Sequence, residues 1–133
     1  MADKVEGGCL CGAVRYEASW PPTWSAHCHC SDCRRATGSA FATYAGILRE
    51  RFRWTKGAPK EVHSSPGVTR SFCGNCGTPL AYRGDRWPTE IHILVATLDD
   101  PSIAAPEAHM YTSEQLPWVR LADGLPRKAK TEG

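Results

Sequence analysis

The sequence predicts a small, mainly β fold of short antiparallel strands with one or two helical turns. Apolar residues alternate with polar ones over short stretches, which is the pattern of half-buried strands. Twelve glycines and ten prolines among 133 residues divide the chain into pieces too short for long helices. The expected strands are residues 14–18, 26–30, 39–47, 52–55, 61–64, 69–72, 79–82 and 91–98.

One segment departs from the strand pattern. Residues 31–37 begin at Ser31, whose hydroxyl can cap a helix, and stop before Gly38, a residue type that often ends helices. This span predicts one short helix. Phe41 and Trp118 are expected in the core.

Length and charge limit the possible roles of the chain. Residues 1–126 are expected to form a single domain, and residues 127–133 a basic, flexible tail. The net charge of +2 argues against nucleic acid or an anionic membrane as a partner. Neither an export signal nor a run of about 18 apolar residues is present, which predicts a cytoplasmic protein. In that reducing compartment, clustered cysteines are more often metal ligands or reactive thiols than disulfides.

The chain contains seven cysteines in three clusters, spaced C-x-C, C-x-C-x2-C and C-x2-C. Zinc takes four sulfur or nitrogen ligands in structural sites, and three protein ligands plus an open position in catalytic ones. Seven thiolates divide into four and three, so two zinc ions per chain are expected. The cysteines are Cys9, Cys11, Cys28, Cys30, Cys33, Cys73 and Cys76.

The glycines beside two of the clusters suggest how the cysteines pair. Cys73 and Cys76 are flanked by glycines that allow a sharp turn, as in a zinc knuckle, and Cys9 and Cys11 can supply the remaining two ligands. The middle cluster then stands alone. On a strand, Cys28 and Cys30 share one face, and the following turn brings Cys33 back toward them. Three ligands from six residues can leave a coordination position free.

Other interpretations of the middle cluster stay open. Cys30 and Cys33 could form a redox pair. The second zinc could instead be closed by Asp32 or His109, which would make the domain a binding or scaffold module.

The side chains around the middle cluster suggest further roles. Arg34 and Arg35 could bind a carboxylate of a ligand. His27 and His29 are expected to point away from the cysteine face, with His29 and Tyr44 as weak proton-donor candidates. His63 and His92 are expected on strand surfaces. His109 is expected either to line a pocket or to be an ordinary packed or surface histidine.

Several motifs resemble one known family, the glutathione-dependent formaldehyde-activating enzymes, which also includes centromere protein V. The resemblance covers nearly the whole chain, and the cysteine pattern is its most specific part. The matching segments are residues 7–16 (GGCLCGAVRY), 28–41 (CHCSDCRRATGSAF), 72–78 (FCGNCGT), 98–101, 116–118 and 123–126.

This resemblance implies a β-rich, tent-like zinc fold, related to that of methionine-R-sulfoxide reductases. It implies a structural zinc at Cys9, Cys11, Cys73 and Cys76, and a catalytic zinc at the three middle cysteines. The implied activity is that of a carbon–sulfur lyase, which forms or cleaves S-hydroxymethylglutathione from glutathione and formaldehyde. A thiol and an aldehyde are then the expected small-molecule partners. The alternative is a non-catalytic zinc scaffold of the same fold.

Overall fold

A computed structural model describes residues 3–131 of the chain. Strands make up 43% and helical turns 15% of it, which confirms the predicted mainly β fold. The strands are β1 (Asp3–Gly8), β2 (Arg15–Trp20), β3 (Trp24–Cys28), β4 (Ala42–Leu48), β5 (Phe52–Lys56), β6 (Lys60–Ser65), β7 (Val68–Phe72), β8 (Pro79–Gly84), β9 (Glu90–Leu94) and β10 (Ala108–Met110). The α-helix is α1 (Ser31–Thr37), and short 3-10 turns occupy Arg49–Arg51, Val95–Thr97, Pro101–Ile103 and Thr112–Glu114.

The strands form two sheets. The smaller sheet has the order β1-β2-β5, and the larger has the order β10-β3-β4-β9-β8-β7-β6. All neighbours are antiparallel except β10, which runs parallel to β3. The middle cysteine cluster therefore follows an interior strand, β3, of the larger sheet.

The structure moves some predicted boundaries. The strand expected over residues 26–30 ends at Cys28, because the chain turns there into α1. The strand expected over 91–98 ends at Leu94, where a 3-10 turn begins. Strand β1 was not predicted from its charged sequence, yet it pairs in register with β2 over all six residues. Backbone pairing at a sheet edge does not require an apolar sequence.

Helix α1 has the predicted span but not the predicted cap. Cys30 occupies the N-cap position, and its own side chain forms no capping hydrogen bond. The backbone N–H of Ser31 instead donates to Glu114 Oε1, at 2.9 Å. Gly38 ends the helix in the left-handed conformation with φ of 66°, as its identity predicts.

The main core consists of side chains with almost no exposure, among them Tyr16, Ile47, Leu80 and Ile93. Burial raises the pKa of Tyr16 to about 12, and its hydroxyl is hydrogen-bonded to Thr97 Oγ1 at 2.7 Å. Trp118 is not in this core, contrary to expectation: 69% of it is exposed. It lies in an irregular segment between the Thr112–Glu114 turn and the residues that pair beside β10.

Residues 127–131, which belong to the predicted flexible tail, form hydrogen bonds with the segment around β10. The N–H of Lys128 donates to the carbonyl of His109 at 2.9 Å, and the N–H of Tyr111 donates to the carbonyl of Lys130 at 3.1 Å. The Arg127 guanidinium donates to Gln115 Oε1 at 2.6 Å. Backbone pairing beside β10 holds this polar segment. The last two residues of the predicted tail lie outside the described residues.

We expect Ile93→Ala to lower the free energy of unfolding by about 2–5 kcal/mol, because the side chain is fully buried in β9 and its loss leaves a cavity. Denaturant unfolding of zinc-loaded protein measures this. Val62→Ala is the control, since Val62 is 46% exposed on edge strand β6 and should cost no more than about 0.5 kcal/mol. Equal losses for the two variants would contradict the position of the core.

Candidate metal centres and the adjoining cavity

Four cysteines from distant parts of the chain converge at one point. The sulfur atoms of Cys9, Cys11, Cys73 and Cys76 all lie within 4.8 Å of one another. The Cys9–Cys11 distance is 3.7 Å and the Cys11–Cys73 distance is 3.8 Å. A tetrahedral zinc with bonds of about 2.3 Å to sulfur requires edges of about 3.8 Å. This set, called the four-cysteine cluster below, therefore fits a closed zinc site.

Backbone and side-chain donors surround these sulfurs. The N–H of Val14 donates to Cys9 at 3.3 Å, and the N–H groups of Asn75 and Cys76 donate to Cys73 at 3.3 and 3.4 Å. The Asn75 side chain donates to Cys11 at 3.2 Å. Such donors favour the thiolate form that a metal requires. A hydrogen bond from Thr78 is the largest of the causes that lower the pKa of Cys76 to about 5.

The middle cysteines form a second, separate group on the larger sheet. Cys28 ends β3, Cys30 precedes α1, and Cys33 lies within α1. The sulfurs of Cys28 and Cys33 are 3.5 Å apart. Within residues 3–131, only the four-cysteine cluster brings three or more candidate ligand atoms all within 4.8 Å of one another. The middle group is therefore the looser arrangement.

Hydrogen bonding between the three thiols separates their acidities. The Cys28 thiol donates to Cys33 Sγ, and hydrogen bonding with Cys30 and Cys33 raises the pKa of Cys28. The hydrogen bond from Cys28 lowers the pKa of Cys30 to about 6. The same donor, followed by Tyr44, lowers the pKa of Cys33. Two of the three sulfurs, those of Cys30 and Cys33, are thus more readily ionised, as metal ligands must be.

All three middle cysteines line one cavity of about 170 Å³. Its remaining walls come from β4, β7, β8 and β9 and from the segments around them. The side chains that line it include those of Asp32, Tyr44, Arg70, Tyr82, Trp87 and His92. We call this space the cysteine cavity.

Arg70 and Tyr44 have a place in the cysteine cavity that the sequence alone does not indicate. Arg70 on β7 was not singled out, because nothing in the sequence marks it among the many surface arginines. Its Nη1 donates to Tyr44 Oη at 3.3 Å, and its guanidinium lies 5.1 Å from the centre of the Tyr82 ring. Burial raises the pKa of Tyr44, which lies beside Cys33. Pairing of distant strands brings these groups together.

The structure brings neither predicted arginine into the cysteine cavity. Arg34 Nη1 donates to the backbone carbonyls of His29 and Glu114, at 2.8 and 2.5 Å, and so ties the cysteine loop to the C-terminal segment. Arg35 is exposed. Neither side chain is among the cavity residues.

Two of the histidines form a buried chain outside the cavity. His29 and His109 have no exposed surface, and their Nε2 and Nδ1 atoms are 3.0 Å apart. His109 Nε2 in turn lies 2.8 Å from a carboxylate oxygen of Asp123. Neither ring lines the cysteine cavity, so His109 is not placed to close a metal site there.

His92 was expected on a strand surface, and this is wrong. It is 6% exposed and lies on β9, in the interior of the larger sheet, with the ring of Tyr82 stacked 5.3 Å away. Its Nε2 is 2.9 Å from Glu90 Oε1. Aromatic side chains from neighbouring segments cover it, which the alternation pattern alone cannot show. His63 is exposed on β6, as expected.

Sequence comparison identifies the family of this chain. The sequence profile of the glutathione-dependent formaldehyde-activating enzymes matches residues 4–114. The chain belongs to this family. A provisionally named glutathione-dependent formaldehyde-activating enzyme from Halomonas elongata is 29% identical over 127 residues, which cover 88% of this chain and 80% of that protein. An uncharacterised lyase from Schizosaccharomyces pombe is 32% identical over 79 residues, which cover 59% of this chain and 57% of that protein.

A solved structure supports the fold of this family member. A crystal structure of a Rhodobacter sphaeroides protein aligns with a TM-score of 0.61 at 24% identity, over 92% of this chain and 98% of that one. Within residues 3–131, no helix is long and apolar enough to cross a membrane.

We expect Cys73→Ser to abolish metal binding at the four-cysteine cluster and to unfold the domain, because the cluster joins segments of both sheets. Zinc release to a chromophoric chelator and circular dichroism measure the two effects. Cys30→Ser, the same change outside the cluster, should leave the fold intact. A Cys73→Ser protein that unfolds as cooperatively as wild type would contradict a structural role.

Proposed function

We propose that this chain is a zinc-dependent carbon–sulfur lyase that joins a glutathione-like thiol to an aldehyde, or cleaves the resulting S-hydroxymethyl-type adduct. The family and the lyase-named relative support an enzyme of this general kind. The observation that carries the proposal is a second cysteine group, apart from the four-cysteine cluster and the main core, that lines a cavity.

Cys28, Cys30 and Cys33 are the residues that would hold the second zinc. Three protein ligands leave one position for a substrate, as catalytic zinc sites do. A zinc ion bound there would lower the pKa of an incoming thiol and so supply a thiolate at neutral pH. With three thiolate ligands the site has a net charge of about −1, which suits thiol transfer better than water activation.

The protein side chains contribute proximity and a hydrogen bond. The cysteine cavity, at about 170 Å³, has room for an aldehyde and the sulfur end of a thiol, so the two reactants are held together. A bond forms between the thiol sulfur and the aldehyde carbon, while the carbonyl oxygen takes up a proton to replace the one the thiol loses. Tyr44 Oη, between Arg70 and Cys33, can donate a hydrogen bond to that oxygen. Cleavage is the reverse.

A non-catalytic zinc scaffold is the second candidate. Asp32 lines the cysteine cavity and carries a carboxylate that could supply the fourth ligand, which would close the site. His109, the other residue considered for this role, is engaged with His29 and Asp123 instead. Zinc content and thiol binding distinguish a closed site from an open one.

We expect wild-type protein to bind two zinc ions per chain, and Cys30→Ser to bind one, with loss of activity but a retained fold. Cys30 is half-buried on the cavity, away from both the main core and the four-cysteine cluster. Elemental analysis counts the metal, and NMR with labelled formaldehyde and glutathione follows the adduct. A content of one zinc ion per wild-type chain, or undiminished turnover in Cys30→Ser, would contradict the open-site proposal.

We expect Tyr44→Phe to lower kcat by roughly 100-fold with little change in KM, because the hydroxyl acts mainly on charge that develops at the carbonyl oxygen. The measurement is steady-state turnover with a saturating thiol. Tyr16→Phe is the matched control, since it removes a buried tyrosine hydroxyl far from the cysteine cavity. Equal kcat values for wild type and Tyr44→Phe would remove Tyr44 from the mechanism.

A further inference from the structure

Arg70 is a half-buried cation on the wall of the cysteine cavity. Its Nε donates to Ser64 Oγ at 3.1 Å, its Nη1 donates to Tyr44 Oη at 3.3 Å, and its guanidinium lies over the Tyr82 ring. All three partners are neutral side chains that fix the orientation of the guanidinium. Arg70 also interacts with the Cys33 sulfur on the same cavity wall.

Three other arginines of the chain form ion pairs with carboxylates. Arg15 pairs with Asp99, Arg53 with Glu17, and Arg83, on the strand next to Arg70, with Glu61. For Arg70, no carboxylate oxygen lies within 4.0 Å in the part of the chain that the structure describes. Asp32 borders the same cavity but is exposed and forms no ion pair with it.

The Arg70 guanidinium has more N–H donors than its hydrogen bonds use. The guanidinium carries five N–H groups in a planar fork that matches a carboxylate, and it stays charged at all physiological pH values. Within residues 3–131, the hydrogen bonds of Arg70 engage Nε and Nη1 but not Nη2. A carboxylate that enters the cavity can accept a hydrogen bond from Nη2.

We propose that Arg70 forms a carboxylate-binding subsite of the cysteine cavity, so that one of the two substrates carries a carboxylate close to its reacting atom. This inference rests on the proposed function and narrows its substrate class. At about 170 Å³, the cavity is small, so the carboxylate must lie within a few bonds of the reacting sulfur or carbonyl carbon. A short thiol acid and a 2-oxo acid both meet this requirement, whereas formaldehyde does not.

Two matched pairs of small molecules test the subsite and identify which substrate carries the carboxylate. The thiol pair is 3-mercaptopropionate and 2-mercaptoethanol, and the carbonyl pair is glyoxylate and acetaldehyde. Ligand-observed NMR gives a dissociation constant for each with zinc-loaded protein. We expect Arg70→Gln to weaken the carboxylated member of one pair by roughly 10- to 100-fold, and to leave its uncharged partner unchanged.

Two further variants separate charge from geometry. Arg70→Lys retains the charge but not the fork, so it should recover only part of the lost affinity. Arg83→Gln removes an arginine from the neighbouring strand outside the cavity, and should change none of the four dissociation constants. The subsite is overturned if Arg70→Gln weakens both members of a pair equally, or neither member of either pair.

A separate measurement decides the proposed function. In protein whose zinc is replaced by cobalt, a thiol that enters an open metal position changes the visible absorption spectrum. If neither thiol changes that spectrum, the proposed function fails. If both thiols change it while the carboxylate preference is absent, the proposed function stands and the Arg70 subsite fails.

Discussion

The convergence of four cysteine sulfurs is the constraint on which the rest of the fold depends. Cys9 and Cys11 follow β1 of the smaller sheet, whereas Cys73 and Cys76 lie between β7 and β8 of the larger one. Cys11 and Cys73, whose sulfurs nearly touch, are 62 residues apart in the sequence. Closing so long a loop costs conformational entropy, and four thiolates at this distance repel one another. A cation bound by the four sulfurs would offset both costs and would fasten one sheet to the other.

The middle cysteines lie in a different environment from the four-cysteine cluster. Cys9 and Cys73 belong to the main core, and a ring of N–H donors surrounds their cluster. Cys28 and Cys33 pack instead against tyrosines and face a cavity. The number of sulfurs and the space in front of them are what distinguish the proposed structural site from the proposed substrate site.

Two arginines near the middle cysteines have different roles. Arg34, close to them in sequence, bonds to the carbonyls of His29 and Glu114 and so holds the loop that carries Cys28 and Cys30. Arg70, distant in sequence, faces the cavity with neutral partners. Nearness in sequence suggested a binding role for the first arginine, but the structure uses it to fasten the loop.

Local patterns were sufficient for the class of the fold, for the span of α1, and for the division of seven cysteines into groups of four and three. These features depend on residue spacing, glycine placement and thiol chemistry, all of which are visible in one stretch of chain at a time. The burial of His92, the attachment of residues 127–131 beside β10, and the place of Arg70 on the cavity wall were not visible in this way. Each depends on which strands become neighbours, and strand pairing joins segments whose separation in sequence carries no local signal.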